Sequence, residues 1–100
     1  MKMITAIVRT TSLKRIVENL GENGIKGMTI SEVRGIGDQV EIDRPYAIHN
    51  RIEIIVPDEK VDEVVSLIVD YSHTGIAGDG IIAVSPIETA IKIRTREKLH

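Results

Sequence analysis

The 100-residue chain contains no cysteine, no phenylalanine and no tryptophan. Without cysteine it has no disulfide framework, no thiolate metal site and no thiol nucleophile. Its two aromatic residues are Tyr46 and Tyr71, and its formal net charge is -2 at pH 7. A slightly acidic chain with so few aromatic rings lacks the basic surface and the stacking platforms that nucleic-acid-binding proteins use. We therefore expect no nucleic acid partner.

Long hydrophobic runs are also missing. The apolar stretch nearest the N-terminus spans residues 3–8 and ends at Arg9, which is much shorter than a signal segment or a membrane span. We therefore expect a cytoplasmic protein without direct membrane insertion. Hydrophobic residues make up 42% of the chain and charged residues 28%, a balance typical of globular proteins. At this length we predict one domain over residues 1–100.

Catalytic and metal-binding motifs are not found either. The sequence has no Walker A lysine motif and no glycine fingerprint that opens a helix after a strand. Its three histidines, His49, His73 and His100, lack the spacing of metal ligands, and no serine lies in a nucleophile-elbow motif. The sequence therefore predicts a protein that is not an enzyme, has no metal site and requires no cofactor.

An internal repeat at an offset of 48 residues organises the chain. In each half, three apolar residues alternate as in a strand with one buried face, and an apolar stripe with helical spacing follows. The alternating sets are Ile4, Ala6 and Val8, then Ile52, Ile54 and Val56; the stripes are Leu13, Ile16, Val17 and Leu20, then Val61, Val64, Val65 and Ile68. Another apolar stretch follows each stripe. Strand, helix, strand, repeated once, predicts an α+β protein with the ferredoxin-like βαββαβ (split βαβ) fold, an antiparallel sheet with two helices on one face.

Local signals predict where these helices begin and end. Ser12 and Asp58 precede the two stripes as N-caps. Gly21, Gly24 and Gly75 lie where the helices should stop. A short additional strand is predicted near the C-terminus.

The second face of the predicted sheet mixes charged residues with Ile7 and Ile55. An uncovered face of this kind favours a partner surface, so we expect an oligomer. In the C-terminal strand, Lys92 and Arg94 would lie on one face. Two such cations can hold a phosphate, or they can form a solvated edge that discourages aggregation.

Two glycine-containing loops are candidates for binding. The connection between the two halves begins near Gly35 and Gly37 and continues to Asn50, which is long for a hairpin and favours a functional loop. The second loop, residues 74–80, lies between a helix and a strand. Backbone N–H groups of a glycine-rich loop can form a nest that accepts a phosphate. Glycine-rich loops more often only turn the chain, and the pattern leaves this alternative open.

Five collinear segments resemble the PII signal-transduction family. They are the first strand, residues 1–9; GMTISEVRGIG at 27–37; IEIIVPD at 52–58; TGIAGDG at 74–80; and VSPIETAIKIRT at 84–95. Together they cover nearly the whole chain. The resemblance implies a homotrimer that binds adenine nucleotides in clefts between subunits. It also implies a T-loop, at about 38–50, that docks onto a target protein such as a transporter, an enzyme or a transcription factor.

The same resemblance places the binding residues. It puts the B-loop at 74–80 and the C-terminal strand at about 90–95. The positions that correspond to the nucleotide site are Ile7, Thr29, Gly35, Gly37, Asp38, Gln39, Glu53 and Ile55 around the base and the T-loop root, and Gly78, Asp79, Gly80, Lys92 and Arg94 around the phosphates.

Several departures from the family pattern bear on function. Ile76 and Ile81 replace the two B-loop lysines, and each lost ammonium removes a contact worth about 1.5–3 kcal/mol. The T-loop is several residues short, and His49 replaces a lysine that helps to hold 2-oxoglutarate. One hypothesis is therefore a regulator that senses adenine nucleotides, preferring ADP or AMP and binding ATP weakly. The alternative is a trimeric interaction or small-anion-binding module that has lost nucleotide binding.

Overall fold

The computed structural model describes residues 1–37 and 46–100, which form six strands and two α-helices. The elements are β1 (Lys2–Arg9), α1 (Thr10–Glu22), β2 (Thr29–Gly35), β3 (Ala47–Val56), a 3₁₀ turn (Asp58–Lys60), α2 (Val61–Ser72), β4 (Gly80–Pro86), β5 (Ile91–Lys92) and β6 (Glu97–Lys98). The four longer strands form one antiparallel sheet in the order β2-β3-β1-β4. This order confirms the predicted ferredoxin-like α+β fold.

Both helices cover one face of this sheet, because alternate residues of its two central strands are apolar and point to that face. The core there consists of aliphatic side chains that are at most 2% exposed. They are Ile4, Ala6, Val8, Ile16, Leu20, Ile52, Ile54, Val56, Val64 and Ile68. All of them belong to the repeated sequence pattern, and burial of each large aliphatic side chain contributes about 1.5–3 kcal/mol.

Both predicted N-caps are wrong. α1 begins at Thr10 directly after β1, and Arg9, with extended backbone at φ -62° and ψ 142°, precedes it. Because no loop separates the strand from the helix, Ser12 lies inside α1, where it is 6% exposed. In the second half, Asp58 opens the 3₁₀ turn, and α2 begins only at Val61.

The helix ends follow the glycine signals with one exception. Gly24 has φ +85° just after α1, and Gly75 has φ +84° just after α2. Gly21, in contrast, lies within α1. In the described ranges, no helix is both long and apolar enough to cross a membrane.

Two predicted boundaries near the binding segments change as well. β3 begins at Ala47, so residues 47–50 of the predicted T-loop lie in a strand. The predicted strand at about 90–95 is instead a hairpin of β5 and β6, with Arg96 at φ +62° in its turn. Since the chain reverses after Lys92 and pairs with its own tail, Lys92 and Arg94 do not lie on one strand face.

Candidate functional site

The face of the sheet opposite the helices carries Ile7 and Arg9 on β1, with Ile81 opposite Ile7 on β4. On β3 it carries His49, opposite Arg9, and Ile55. Ile55 is 41% exposed and Ile81 is 67% exposed. We call this surface the open face. In the described part of the chain, both helices pack on the other side, so a partner surface remains the natural interpretation of these exposed isoleucines.

The B-loop, residues 74–80, folds at one end of the open face and is held together by Asp79. The Asp79 carboxylate accepts hydrogen bonds from the backbone N–H groups of Thr74 at 2.8 Å and Gly75 at 2.9 Å, and from the Thr74 hydroxyl. These bonds to Thr74, from its hydroxyl first and then from its amide, hold the pKa of Asp79 well below its ordinary value. The carboxylate therefore stays ionised and faces the amides of its own loop.

Two basic side chains from neighbouring strands fasten the B-loop to the sheet. Arg9 Nη2 donates to the carbonyl oxygen of Ala77 at 2.8 Å, and Arg9 Nε lies 3.4 Å from Asp79 Oδ1. His49 Nε2 lies 3.1 Å from the carbonyl oxygen of Gly78. Because a carbonyl oxygen only accepts, Nε2 is the nitrogen that carries the hydrogen. The Ala77 and Gly78 carbonyls thus face side chains of β1 and β3.

Sequence reasoning missed both of these anchors. The sequence assigns Arg9 no role beyond ending an apolar stretch, and it places His49 at a ligand position of the T-loop. His49 instead lies in β3, is 6% exposed and contacts the B-loop. Its other nitrogen, Nδ1, has no hydrogen-bond partner in the described residues and points towards Gly35, whose Cβ would lie 3.5 Å from it. A basic residue at the end of β1, opposite a glycine-rich loop, is the signal that could have indicated the first anchor.

Glycine is required at two positions of the B-loop. Gly78 has φ +99° and Gly80 has φ +110°, in the left-handed region that side chains disfavour. A Cβ on Gly80 would lie 1.8 Å from the carbonyl oxygen of Ile7. Gly80 therefore lets the loop approach β1 closely enough for β4 to begin.

The carbonyl contacts also orient an amide. In a planar trans peptide the C=O and the N–H point in opposite directions. Because the Ala77 carbonyl points to the Arg9 guanidinium, the N–H of Gly78 points away from that guanidinium. An outward amide in a glycine-rich turn is a group that binds anions.

The predicted site residues fall into three groups in the structure. Ile7, Gly35, Gly78, Asp79 and Gly80 lie at the B-loop end of the open face, and Gly37 follows β2 there. Thr29 and Glu53, which are register partners, and Ile55 lie further along the same face, with Glu53 about 13 Å along β3 from His49. Glu53 also lies 3.4 Å from Arg51 Nε.

The predicted residues that remain are Lys92, Arg94, Asp38 and Gln39. Lys92 lies in β5 and Arg94 in the turn after it, and all residues from 91 to 100 are exposed. Asp38 and Gln39 lie outside the described residues. Beside the B-loop, between α2 and the β1–β4 pair, lies an apolar cavity of about 110 Å³. It is small compared with the several hundred Å³ of typical ligand pockets.

The chain is similar to known proteins along nearly its whole length. The family model described as "Nitrogen regulatory protein P-II" matches residues 1–97. The Nitrogen regulatory protein P-II of Haemophilus influenzae is 40% identical, with 98% of this chain and 96% of that protein covered. That of Nostoc punctiforme is 41% identical at the same coverage. Nitrogen regulatory protein P-II 2 of Methanothermobacter thermautotrophicus is 41% identical, with 97% and 92% covered.

The chain therefore belongs to the PII family, whose members are regulatory signal transducers rather than enzymes. It is a PII-type regulatory protein. Its alignment with the Haemophilus influenzae protein is 107 positions long but covers 98% of a 100-residue chain. Several alignment positions are consequently gaps in this chain.

Proposed function

We propose that this PII-type protein is a homotrimer that binds an adenine nucleotide in clefts between its subunits. The incomplete site within one chain supports this proposal. The hairpin that carries Lys92 and Arg94 is exposed along its whole length, and among the described residues its hydrogen bonds lie within the hairpin. The cavity beside the B-loop is small. A second subunit on the open face would cover Ile7, Ile55 and Ile81 and would supply the missing walls and cations.

The observation that carries nucleotide binding is the arrangement of the B-loop. Its Gly78 N–H points away from Arg9, and the Asp79 carboxylate accepts hydrogen bonds from amides of the same loop. The Arg9 guanidinium lies behind the loop and makes the local field more positive. An anion such as a phosphate would therefore meet a donor and no free carboxylate.

The side chains that flank this loop favour a ligand with few phosphate groups. Ile76 is 68% exposed and Ile81 is 67% exposed, where an ammonium group could otherwise reach a bound anion. Each added phosphate brings a desolvation cost that apolar side chains cannot offset. ADP or AMP should therefore bind more tightly than ATP. The same exposed isoleucines favour the second candidate function, a trimeric interaction or small-anion-binding module without nucleotide binding.

Signalling would use the shortened T-loop, which would dock onto a target protein of unknown identity, a transporter or an enzyme. Arg34 Cζ lies 4.8 Å from the ring centroid of Tyr46, so a cation–π contact joins β2, which precedes the T-loop, to the residue before β3. His49 contacts Gly78 in the B-loop and lies beside Gly35 at the T-loop root. This histidine offers a short physical connection from a bound phosphate to the T-loop.

Two measurements test the proposal. Sedimentation equilibrium should give three times the chain mass of 11.1 kDa, and a monomer at micromolar concentration would contradict the trimer and its shared site. Calorimetry with ATP, ADP, AMP and cyclic AMP should show ADP or AMP bound more tightly than ATP. Tighter binding of ATP would overturn the role assigned to Ile76 and Ile81. Absence of binding at millimolar concentration would favour the interaction module.

A further inference from the structure

The B-loop contains a tight turn at residues 76–79 whose middle peptide joins Ala77 to Gly78. Gly78, at the third position, has φ +99°. Ala77, at the second position, has a negative φ, since among the described non-glycine residues only Arg96 has a positive φ. This combination is typical of a type II turn. In a type I turn the middle peptide is rotated by about half a revolution, and both of the turn's central residues have negative φ. Glycine adopts either conformation readily, so Gly78 does not itself decide between the two turns.

Arg9 distinguishes the two turns. In the observed turn the Ala77 carbonyl accepts a hydrogen bond from Arg9 Nη2 at 2.8 Å. Rotation of the middle peptide would remove this acceptor and turn the Gly78 N–H towards the guanidinium. Because a guanidinium has donors and no acceptor, the Gly78 N–H would find no partner in Arg9. The contact of Arg9 Nε with Asp79 Oδ1 at 3.4 Å helps to keep the side chain in place.

We propose that Arg9 is a positioning residue for the anion site, because it fixes the orientation of the Ala77–Gly78 peptide. With Arg9 present, an amide dipole faces a bound anion on the outer side of the loop. With the peptide rotated, a carbonyl oxygen would face it, and attraction would become repulsion. Arg9 acts through the loop, from the opposite side of the turn. The identity of the anion as an adenine nucleotide rests on the proposed function, whereas the orientation of the peptide does not.

The test compares the wild type with Arg9→Ala and Arg9→Lys, and with Arg15→Ala as a matched control on the exposed surface of α1. We expect Arg9→Ala to raise the Kd for ADP roughly tenfold, the effect of one charge-assisted hydrogen bond. Arg9→Lys should give an intermediate value, because an ammonium group cannot reproduce the forked donors. Arg15→Ala should bind as the wild type does.

A second readout needs no ligand. In the free protein, the ¹H–¹⁵N signal of Gly78 should shift and broaden by exchange in Arg9→Ala, because the peptide then samples both orientations, while signals of core residues such as Ile54 stay in place. A merely structural role for Arg9 would instead move the thermal midpoint and leave the Gly78 signal unchanged. Should Arg9→Ala fail to fold, Arg9→Lys carries both readouts.

The outcomes separate this inference from the proposed function. ADP binding and a Gly78 signal that are both unchanged in Arg9→Ala would overturn the positioning role and leave nucleotide binding intact. If the wild type binds no adenine nucleotide, the proposed function fails. The Gly78 signal still tests whether Arg9 fixes the orientation of the Ala77–Gly78 peptide. Exchange in Arg9→Ala would then support the role of Arg9, and its absence would overturn it.

Discussion

The B-loop and the C-terminal hairpin carry the two sets of groups expected to hold phosphates, and they are held in very different ways. Asp79 ties the B-loop together from within, and Arg9 and His49 fasten it to two strands of the sheet. The hairpin of β5 and β6 pairs with itself, and its residues are exposed. A two-stranded hairpin is marginally stable alone. One part of the proposed site is therefore folded within a single chain, and the other would need a neighbouring surface to hold it in place.

The largest effect should come from the point where the B-loop touches β1. Gly80→Ala places a Cβ 1.8 Å from the Ile7 carbonyl oxygen at φ +110°, and we expect a loss of at least about 3 kcal/mol in the free energy of unfolding. Chemical denaturation measures it. Gly27→Ala is the control, since nothing lies within 4 Å of that Cβ. Equal stability of the two variants would mean that the B-loop is not fastened to β1.

A substitution in the hairpin should change ligand affinity and leave the stability of the protein nearly unchanged. Arg94→Ala should weaken ADP binding by about 1.5–3 kcal/mol if Arg94 contacts a phosphate of a neighbouring subunit's ligand. Its unfolding midpoint should stay near that of the wild type, because Arg94 is exposed. Calorimetry on Lys98→Ala, an exposed cation of β6, controls for the general loss of charge. If Arg94→Ala binds ADP as tightly as the wild type, Arg94 does not contact the ligand and the hairpin is not part of the site.

A third variant tests the apolar flank of the B-loop. Ile81→Lys should increase ATP affinity by a similar amount, about 1.5–3 kcal/mol, because an ammonium group would then offset the charge of the additional phosphate. Ile93→Lys adds the same charge in the hairpin, where Ile93 is 92% exposed, and should change ATP affinity less. If both variants gain equally, net charge and not position explains the effect.

The smallest effect concerns how the stabilisation by Asp79, through its hydrogen bonds within the B-loop, depends on pH. Because hydrogen bonds lower the pKa of Asp79 in the folded protein, its contribution to stability is present above the unfolded value, near 4, and is lost as the pH falls through the folded value. The difference in unfolding free energy between the wild type and Asp79→Asn should therefore shrink at acidic pH. Asp70→Asn, on the exposed surface of α2, is the control. A difference that grows with acidity would contradict the assigned role of Asp79.

The sequence predicts the fold well and the anchors of the site poorly, for physical reasons. Ile4 and Ile52 show their burial through local periodicity, and burial is what decides the strand order and the helix-covered face. The contact of Arg9 with Ala77 joins residues that are far apart in the chain and depends on strand register and on the rotation of one peptide. No local sequence pattern predicts the strand register or the rotation of that peptide. Ser12 shows the same limit, because the start of α1 is set by where β1 ends.

The sheet has two outer strands, and they differ in their capacity for unwanted pairing. β2 carries Glu32 and Arg34, charges of the kind that protect an outer strand from adding another chain. β4, with the sequence GIIAVSP, has no charged residue, and its Ile81 and Val84 are exposed. Its outer row of N–H and C=O groups is a template for strand addition. Of the two outer strands, β4 is therefore the one at which a free subunit would add another chain and begin to aggregate.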